Sequence, residues 1–297
     1  MDNFKDRVIL ITGSAHGFGA AIAKEAAQRG MKLALADIDE PALKDIYDEV
    51  TTLGADAEMI PTDVTEETAV DNAVATTMKR FGQIDVLVNS AGVAVPGSIW
   101  ELPTRDWEWI LHADVMSQVY ALQQVIPIMM KQPDGGDIIN VASMAGLITS
   151  PLMPAYYTSK FASVGMTEAV EYDLQAAKAN VHMHVFCPAF VQTDLYHSEQ
   201  HRPAKYTNTS DPYYTSKVFK DGQKFAENDI KTGMSINTIP ALIFTALEKN
   251  EFYILSHPAV NPLIVARAQG IVNGQGPDLN LITKYLDKTH GEKPAAK

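Results

Sequence analysis

The run from Arg7 to Thr12, R-V-I-L-I-T, passes straight into Gly13-Ser14-Ala15-His16-Gly17-Phe18-Gly19, and then into the Ala-rich stretch Ala20 to Arg29. An unbroken β-branched apolar run suits a parallel strand covered on both faces. Strand, glycine turn and helix make the unit that lays a diphosphate on a helix N-terminus. Gly13 allows the tight turn, and Gly17 and Gly19 allow close approach of backbone and ligand. The spacing is T-G-x-x-x-G-x-G, not the commoner G-x-G-x-x-G. A glycine-rich β–α turn without a ligand is the alternative.

Strand and helix patterns then alternate. Lys32 to Ala36 reads as a second strand ending at Asp37, Pro41 to Leu53 as a helix, and Ala57 to Pro61 as a strand ending near Asp63-Val64. Glu66 to Phe81 is a helix whose stripe Val70, Val74, Thr77, Met78 and Phe81 is core. Ile84 to Val88 is a strand closed by Asn89-Ser90-Ala91-Gly92, small enough for backbone to pass close to a ligand. Thr104 to Lys131 reads as one long helical segment, Asp137 to Ala142 as the fifth strand, Pro154 or Ala155 to Ala179 as a helix, and Val181 to Cys187 as the sixth strand. Repeated β–α units predict an α/β protein with a doubly wound parallel sheet. An acid at Asp37 can accept from both ribose hydroxyls of an adenosine and repels a 2′-phosphate, which favours NAD over NADP. His16 and Lys44 count the other way. Asp63 can reach an adenine amine, with Val64 on its ring, or can simply stabilise its turn.

The alternation breaks at Asp194. From there to about Ile236 the chain is polar, with one helical face over Ser216 to Ile230 carrying Val218, Phe219, Phe225, Ala226 and Ile230. We read 194–236 as a lid over the substrate side, with a solvated surface loop as the alternative. Ile239 to Lys249 is a helix and Phe252 to Leu255 a short last strand. The tail from Ser256 to Lys297 contains a helical stretch, Pro262 to Ile271, and a frayed end, Gly291 to Lys297.

The chemistry-bearing stretch is Ser143 to Lys160. Tyr156 and Lys160 are four apart and share a helix face. Ser143 lies where the fifth strand ends. A phenol ionises near about pH 10, and lowering that by about three units needs roughly 4 kcal/mol. An ammonium about 5 Å away supplies about 3 kcal/mol at an effective dielectric of 20. Lys160 alone can do most of that shift and a cationic cofactor nearby the rest, which makes Tyr156 a candidate proton-transfer group, with Ser143 bonding the same reacting oxygen. Tyr157, three before Lys160, competes for the role.

Composition sets the remaining bounds. The 297 residues are 46% hydrophobic and 20% charged, enough for one large domain, 1–297. A formal net charge of −12 disfavours nucleic acid or an anionic membrane as partner. The N-terminus lacks a signal-peptide layout, and no apolar run is long enough for a bilayer. The single Cys187 suits a reducing compartment, so a cytoplasmic location is expected, and it reads as a buried packing residue.

In their order these motifs resemble the short-chain dehydrogenase/reductase family, compact type, over roughly residues 5 to 255. They run from Thr12 to Gly19 through Asp37, Asp63, Asn89, Ser143, Tyr156 and Lys160 to P-A-F-V-Q-T at Pro188 to Thr193. The resemblance implies a single-domain Rossmann fold and hydride transfer between NAD(H) and an alcohol or ketone, with Ser143, Tyr156 and Lys160 catalytic. Its fourth catalytic position, usually Asn, is Asp114 here. There a backbone role survives, and a carboxylate can pair with Lys160. Cofactor contacts implied are Gly13, Ser14, His16, Gly17, Phe18, Gly19, Asp37, Ile38, Asp63, Val64, Asn89, Ala91, Gly92, Tyr156, Lys160, Pro188, Phe190, Val191 and Thr193. No metal is assigned. The substrate pocket is expected from Val93, Ala94, Val95, Met144, Leu147, Met153, Phe190 and Tyr196, and hence a hydrophobic or aryl secondary alcohol or ketone. The resemblance also implies a homotetramer or dimer through helices at 104–131 and 155–179. Competing readings are a nucleotide sensor without turnover, an NADP-dependent ketoreductase, and an extended-type epimerase or dehydratase.

Overall fold

β1 (Val8–Thr12), α1 (Gly17–Gln28), β2 (Lys32–Asp37), α2 (Glu40–Thr52), β3 (Ala57–Pro61) and α3 (Glu67–Phe81) alternate as the apolar runs require. They are followed by β4 (Val86–Asn89), α4 (Thr104–Leu111), α5 (Ser117–Met129), β5 (Gly136–Val141), α6 (Pro154–Ala177) and β6 (Val181–Cys187). α7 (Lys217–Lys231), α8 (Ile239–Glu248), β7 (Tyr253–Leu255) and α9 (Asn261–Val272) complete the described elements of this computed structural model, which covers residues 4–280 and 282. The end at Gly291 to Lys297 lies outside the described residues.

The strands form one seven-stranded sheet in the order β3-β2-β1-β4-β5-β6-β7, parallel throughout. This is the Rossmann-type doubly wound sheet that the alternation predicts. Side chains leave a strand on alternate faces, and both faces of β1 are covered. Ile9 and Ile11 pack with Ile22, Ala23, Leu43 and Phe244 under α1, α2 and α8. Leu10 packs on the other face with Val74, Leu122 and Met129 under α3 and α5. A one-residue slip of β1 would exchange the two sets, so its register is strongly specified. The chain runs outward from β1 to β3 and then returns to β4 on the far side of β1. That reversal opens a crevice at the carboxyl ends of β1 and β4.

The glycine turn lies at this crevice. Gly13 has φ +66°, and a Cβ there would come within 2.6 Å of the Ala91 amide nitrogen. A Cβ at Gly19 would run into the Gly13 carbonyl. Both neighbours are backbone and cannot swing away. We expect Gly19→Ala to cost about 2–3 kcal/mol by overpacking, read as a lower urea midpoint; an unchanged midpoint would contradict this packing.

Two segments depart from the sequence pattern. The single helix expected over Thr104 to Lys131 is broken by a π-turn, His112–Met116, between α4 and α5. Such turns are most often single insertions that re-aim a residue, and here Asp114 is turned wholly into the interior. Its partners are all tertiary, which is why periodicity does not reveal the break.

The second is 194–236. Its ends are tied by a bridge between Val191 and Met234 and by the Met234 amide donating to the Phe190 carbonyl at 2.9 Å. Short 3₁₀ turns at Leu195–His201, Ala204–Tyr206 and Pro212–Thr215 precede α7. It is not solvated throughout. Tyr206 and Tyr213 join Val95, Trp109, Ile110 and Ala155 in an apolar cluster. The Arg202 guanidinium stands 2.6 Å from Asp106, with both side chains buried, and lies over the Trp109 ring. Phe225, on the helical face of α7 read from the sequence, is exposed and lines the open cleft.

Candidate active site

A cleft of about 680 Å³ runs along the carboxyl ends of the central strands. At one end it is lined by Gly13, His16, Gly17, Phe18, Asp37, Ile38, Asp63 and Val64, and at the middle by Ala91, Gly92, Ser143, Tyr156 and Lys160. Pro188, Phe190, Val191 and Thr193 also line it, Thr193 within 3.5 Å of where a Cβ on Gly17 would lie. Residues spread over most of the chain thus meet in one crevice.

Three expected contact residues do structural work behind the cleft. The Ser14 hydroxyl is buried and donates to the Ala36 carbonyl at 3.2 Å. Gly19 packs against Gly13, as above. The Asn89 amide donates to Asn140 Oδ1 at 2.8 Å and so braces β4 against β5.

Asp37 ends β2 with a buried carboxylate. One oxygen accepts from the Ala15 amide at 2.9 Å and the other from the Asp39 amide at 3.0 Å. A carboxylate offers about four lone-pair sites, so accepting capacity remains toward the cleft. Asp63 accepts from the amide and hydroxyl of Thr65, the turn-stabilising role, and also lines the cleft. Lys44 pairs with Asp48 along its own helix. α1 opens with no side-chain cap, so its first amides can serve an anion.

The proton-transfer candidates converge. Ser143 is buried at the end of β5, where its hydroxyl accepts from the Ala145 amide at 3.1 Å and donates to the Pro188 carbonyl at 3.3 Å. Tyr156 and Lys160 lie on one face of α6, with the Lys160 nitrogen 5.4 Å from the Tyr156 ring centre. Tyr157 is turned to Ser150, its hydroxyl bonded there. Behind Lys160, 3.3 Å away, is the Asp114 carboxylate, which does not itself line the cleft.

The electrostatics correct one expectation. Burial pushes the Tyr156 phenol up; Lys160 and Ser143 pull it down, Asp114 pushes it up again, and the net is above the ordinary tyrosine value. The Coulomb argument from Lys160 alone omitted both desolvation and the acid at position 114. Burial likewise lowers Lys160, but Asp114 and Tyr156 outweigh it, and the amine is held above its usual range, as an ammonium.

The expected pocket wall is mostly present: Val93, Ala94, Met144, Met153, Phe190 and Tyr196 line the cleft. Val95 and Leu147 do not; each packs into an apolar cluster beside it. Sequence reasoning missed Ser198, His201, Leu279 and Ile282, which also line the cleft. All four lie outside the helical stretches read in 194–236 and in the tail, so no periodic signal assigned them there. His201 stacks on His16 with ring centres 4.7 Å apart, and His16 lies between Asp39 at 2.9 Å and Asp194 at 3.3 Å. This strap joins the 194–236 segment to the glycine turn. Burial raises the Asp39 carboxyl, but His16 and the Ala42 amide hold it below the usual range.

The family model described as short chain dehydrogenase matches residues 7–204. The chain belongs to this family. Among short-chain dehydrogenases it is similar to "CLA biosynthesis dehydrogenase/reductase" of Lactiplantibacillus plantarum, 57% identical over 282 residues, covering 95% of this chain and 99% of that protein. It is 31% identical over 219 residues to a D-beta-hydroxybutyrate dehydrogenase of Rhizobium meliloti, covering 73% of this chain and 84% of that one. A crystal structure of a short-chain dehydrogenase/reductase from Burkholderia phymatum in complex with NAD superposes with a TM-score of 0.90 at 34% identity, over 94% of this chain and 98% of that chain. The chain is thus an oxidoreductase of this family. Among the described residues no helix is long and apolar enough to cross a membrane.

Proposed function

We propose that this short-chain dehydrogenase interconverts a hydrophobic secondary alcohol and its ketone with NAD(H), and that its substrate is a long aliphatic one, a hydroxy or oxo fatty acid. The observation that carries the chemistry is the convergence of Ser143, Tyr156 and Lys160 on the cleft that also holds the glycine turn and Asp37. The aliphatic assignment rests on the apolar lining, Met144, Ile148, Leu152, Met153 and Phe190 among it. It is supported by the relative named for CLA biosynthesis, since CLA, conjugated linoleic acid, is a fatty acid. An aryl alcohol is the second class to test.

The residues fit a dinucleotide. Gly13 and Gly17 carry no side chains on the turn, α1 presents uncapped amides, and Asp37 lines the same cleft with an acceptor suited to an adenosine ribose. When bound, NAD supplies the hydride acceptor. Lys160 holds charge beside the phenol, and Thr193 lines the cleft beside the glycine turn. In oxidation the Tyr156 oxygen takes the alcohol proton, while Ser143 orients the carbinol and stabilises its developing negative oxygen. Reduction returns the same proton. The 194–236 segment acts as a lid over this cleft, the protein works in the cytoplasm, and it assembles as a homo-oligomer through α5 and α6, where Met130 and Tyr172 are exposed.

The test is a panel of hydroxy and oxo fatty acids, aryl alcohols and small hydroxy acids, run with NAD and with NADP and followed by reduced-nicotinamide absorbance. We expect turnover of the aliphatic members, with NAD preferred. Asp37→Asn is expected to reduce that preference about tenfold by removing one repelled charge. Activity confined to small hydroxy acids rejects the substrate reading. Cofactor binding without turnover of any member rejects the enzyme reading in favour of a nucleotide sensor.

A further inference from the structure

Position 114 departs from the family pattern by one atom type, an oxygen where the amide nitrogen would be. The Asp114 side chain is wholly buried in the π-turn. Three donors converge on it: the Val93 amide at 2.8 Å on Oδ1, the Ser159 hydroxyl at 2.7 Å on Oδ2, and the Lys160 ammonium, 3.3 Å from Oδ2. A carboxylate accepts at both oxygens. An asparagine in this place would set its NH2 against either the Val93 amide or the ammonium, whichever way it turned. The backbone closes over the pair: a Cβ on Gly92 would lie 3.2 Å from Lys160 Nζ and 3.3 Å from Asp114 Oδ1. The site is therefore built for a negative charge behind the ammonium.

That charge changes what the ammonium does. Lys160 alone would favour a phenolate on Tyr156. With a buried carboxylate at hydrogen-bond range, part of its field is cancelled before it reaches the phenol. We propose that Asp114 is a positioning residue which, through its ion pair with Lys160, keeps the proton on Tyr156 through neutral pH. Tyr156 is then set to give its proton to a ketone near neutrality and to take one from an alcohol only in alkali. The inference rests on the reading of Tyr156 as the proton-exchanging group.

Burial pushes the phenol the same way and more strongly, and Asp114 adds a buried negative charge to it; the other neighbours bring no such charge. Ser143 pulls the phenol down. Cys187 on β6 is a thiol pushed up to about 12 by burial, hence neutral. Tyr157 on α6 is raised by burial and likewise uncharged at neutral pH. The acids and histidines lining the cleft, Asp37, Asp63, Asp194, His16, His201 and Asp221, belong to the glycine-turn end or to the 194–236 segment.

The test reads the phenol directly. Protein labelled with ¹³C at tyrosine Cζ is titrated by NMR without cofactor or substrate, the Tyr156 signal being assigned by its loss in Tyr156→Phe. In Asp114→Asn the Tyr156 signal should titrate at lower pH than in the wild type. With an active panel member, oxidation at pH 7 should rise severalfold relative to the variant's own alkaline plateau. Ser159→Ala removes one hydrogen bond from Asp114 but keeps its charge, and should leave the titration in place. Should Asp114→Asn fail to fold by circular dichroism, Asp114→Ala removes the same charge and must move the phenol the same way. An unmoved Tyr156 signal in the charge-removing variant, or an equal shift in Ser159→Ala, overturns the proposal. A shifted titration with a silent substrate panel would instead sink the proposed reaction and leave the Asp114–Tyr156 coupling standing.

Discussion

Tyr156→Phe is expected to lower turnover about 10²- to 10⁴-fold, the range that a positioned acid–base group supplies, with little change in NAD affinity. The substitution removes one oxygen and keeps the ring, so α6 and its packing are preserved. The lost oxygen is the one within the reach of Ser143 and beside Lys160. Tyr157→Phe is the control. Its hydroxyl is committed to Ser150, so its loss is expected to cost about 1 kcal/mol of stability and to leave turnover within a few-fold. Steady-state kinetics on the best member of the fatty-acid panel check both variants. Near-normal turnover in Tyr156→Phe would remove the phenol from the reaction.

Asp106→Ala is expected to cost about 3–5 kcal/mol, the usual effect of stripping one partner from a buried ion pair. Asp106 is fully buried on α4. It accepts from Arg202 at 2.6 Å and from the Tyr214 hydroxyl at 2.9 and 3.0 Å. Arg202 would keep Glu199 at 2.8 Å and the Trp109 face, but its buried charge would lack its main counter-ion. The strain can be relieved by detaching the arm around residues 199–215 from α4, without unfolding the sheet. The loss should therefore show as protease nicking within that arm and a higher KM for long substrates, with a smaller drop in the global melting midpoint. The double variant Asp106→Leu/Arg202→Met should recover part of the loss, because the one charge it leaves without its partner, on Glu199, is partly exposed rather than buried. An Asp106→Ala protein as protease-resistant as the wild type would contradict an arm anchored in this way.

Much of the fold was legible because its strands are buried on both faces. R-V-I-L-I-T and V-H-M-H-V-F-C are contiguous runs with clear ends, and the observed bounds of β3 and β6 coincide with those read from the sequence. Asp37 and Gly17 could be placed at the cleft because a glycine turn and strand ends have fixed positions in such a sheet, and Thr193 because the resemblance to the family implied it. Asn89 was legible as a special residue but not in its role, since only the sheet order puts Asn140 beside it. The π-turn was not legible: no glycine or proline marks a break around Asp114, and the donors that hold its carboxylate come from the β4–α4 connection and α6. The His16–His201 strap and the Arg202–Asp106 pair join residues far apart in the chain, and no local pattern marks either.

The sequence by itself determined the parallel α/β plan, the glycine turn at its start, and the identity of the serine, tyrosine and lysine that meet in the cleft. The plan and the turn follow from local sterics and apolar runs, and the shared face with Lys160 from spacing along one helix; the choice of Tyr156 over Tyr157 follows from the resemblance to the family. Tertiary structure alone decided the electrical setting of that phenol. Whether a nearby ammonium lowers its proton affinity depends on burial and on a second charge behind it, and both arise only when separate segments pack together.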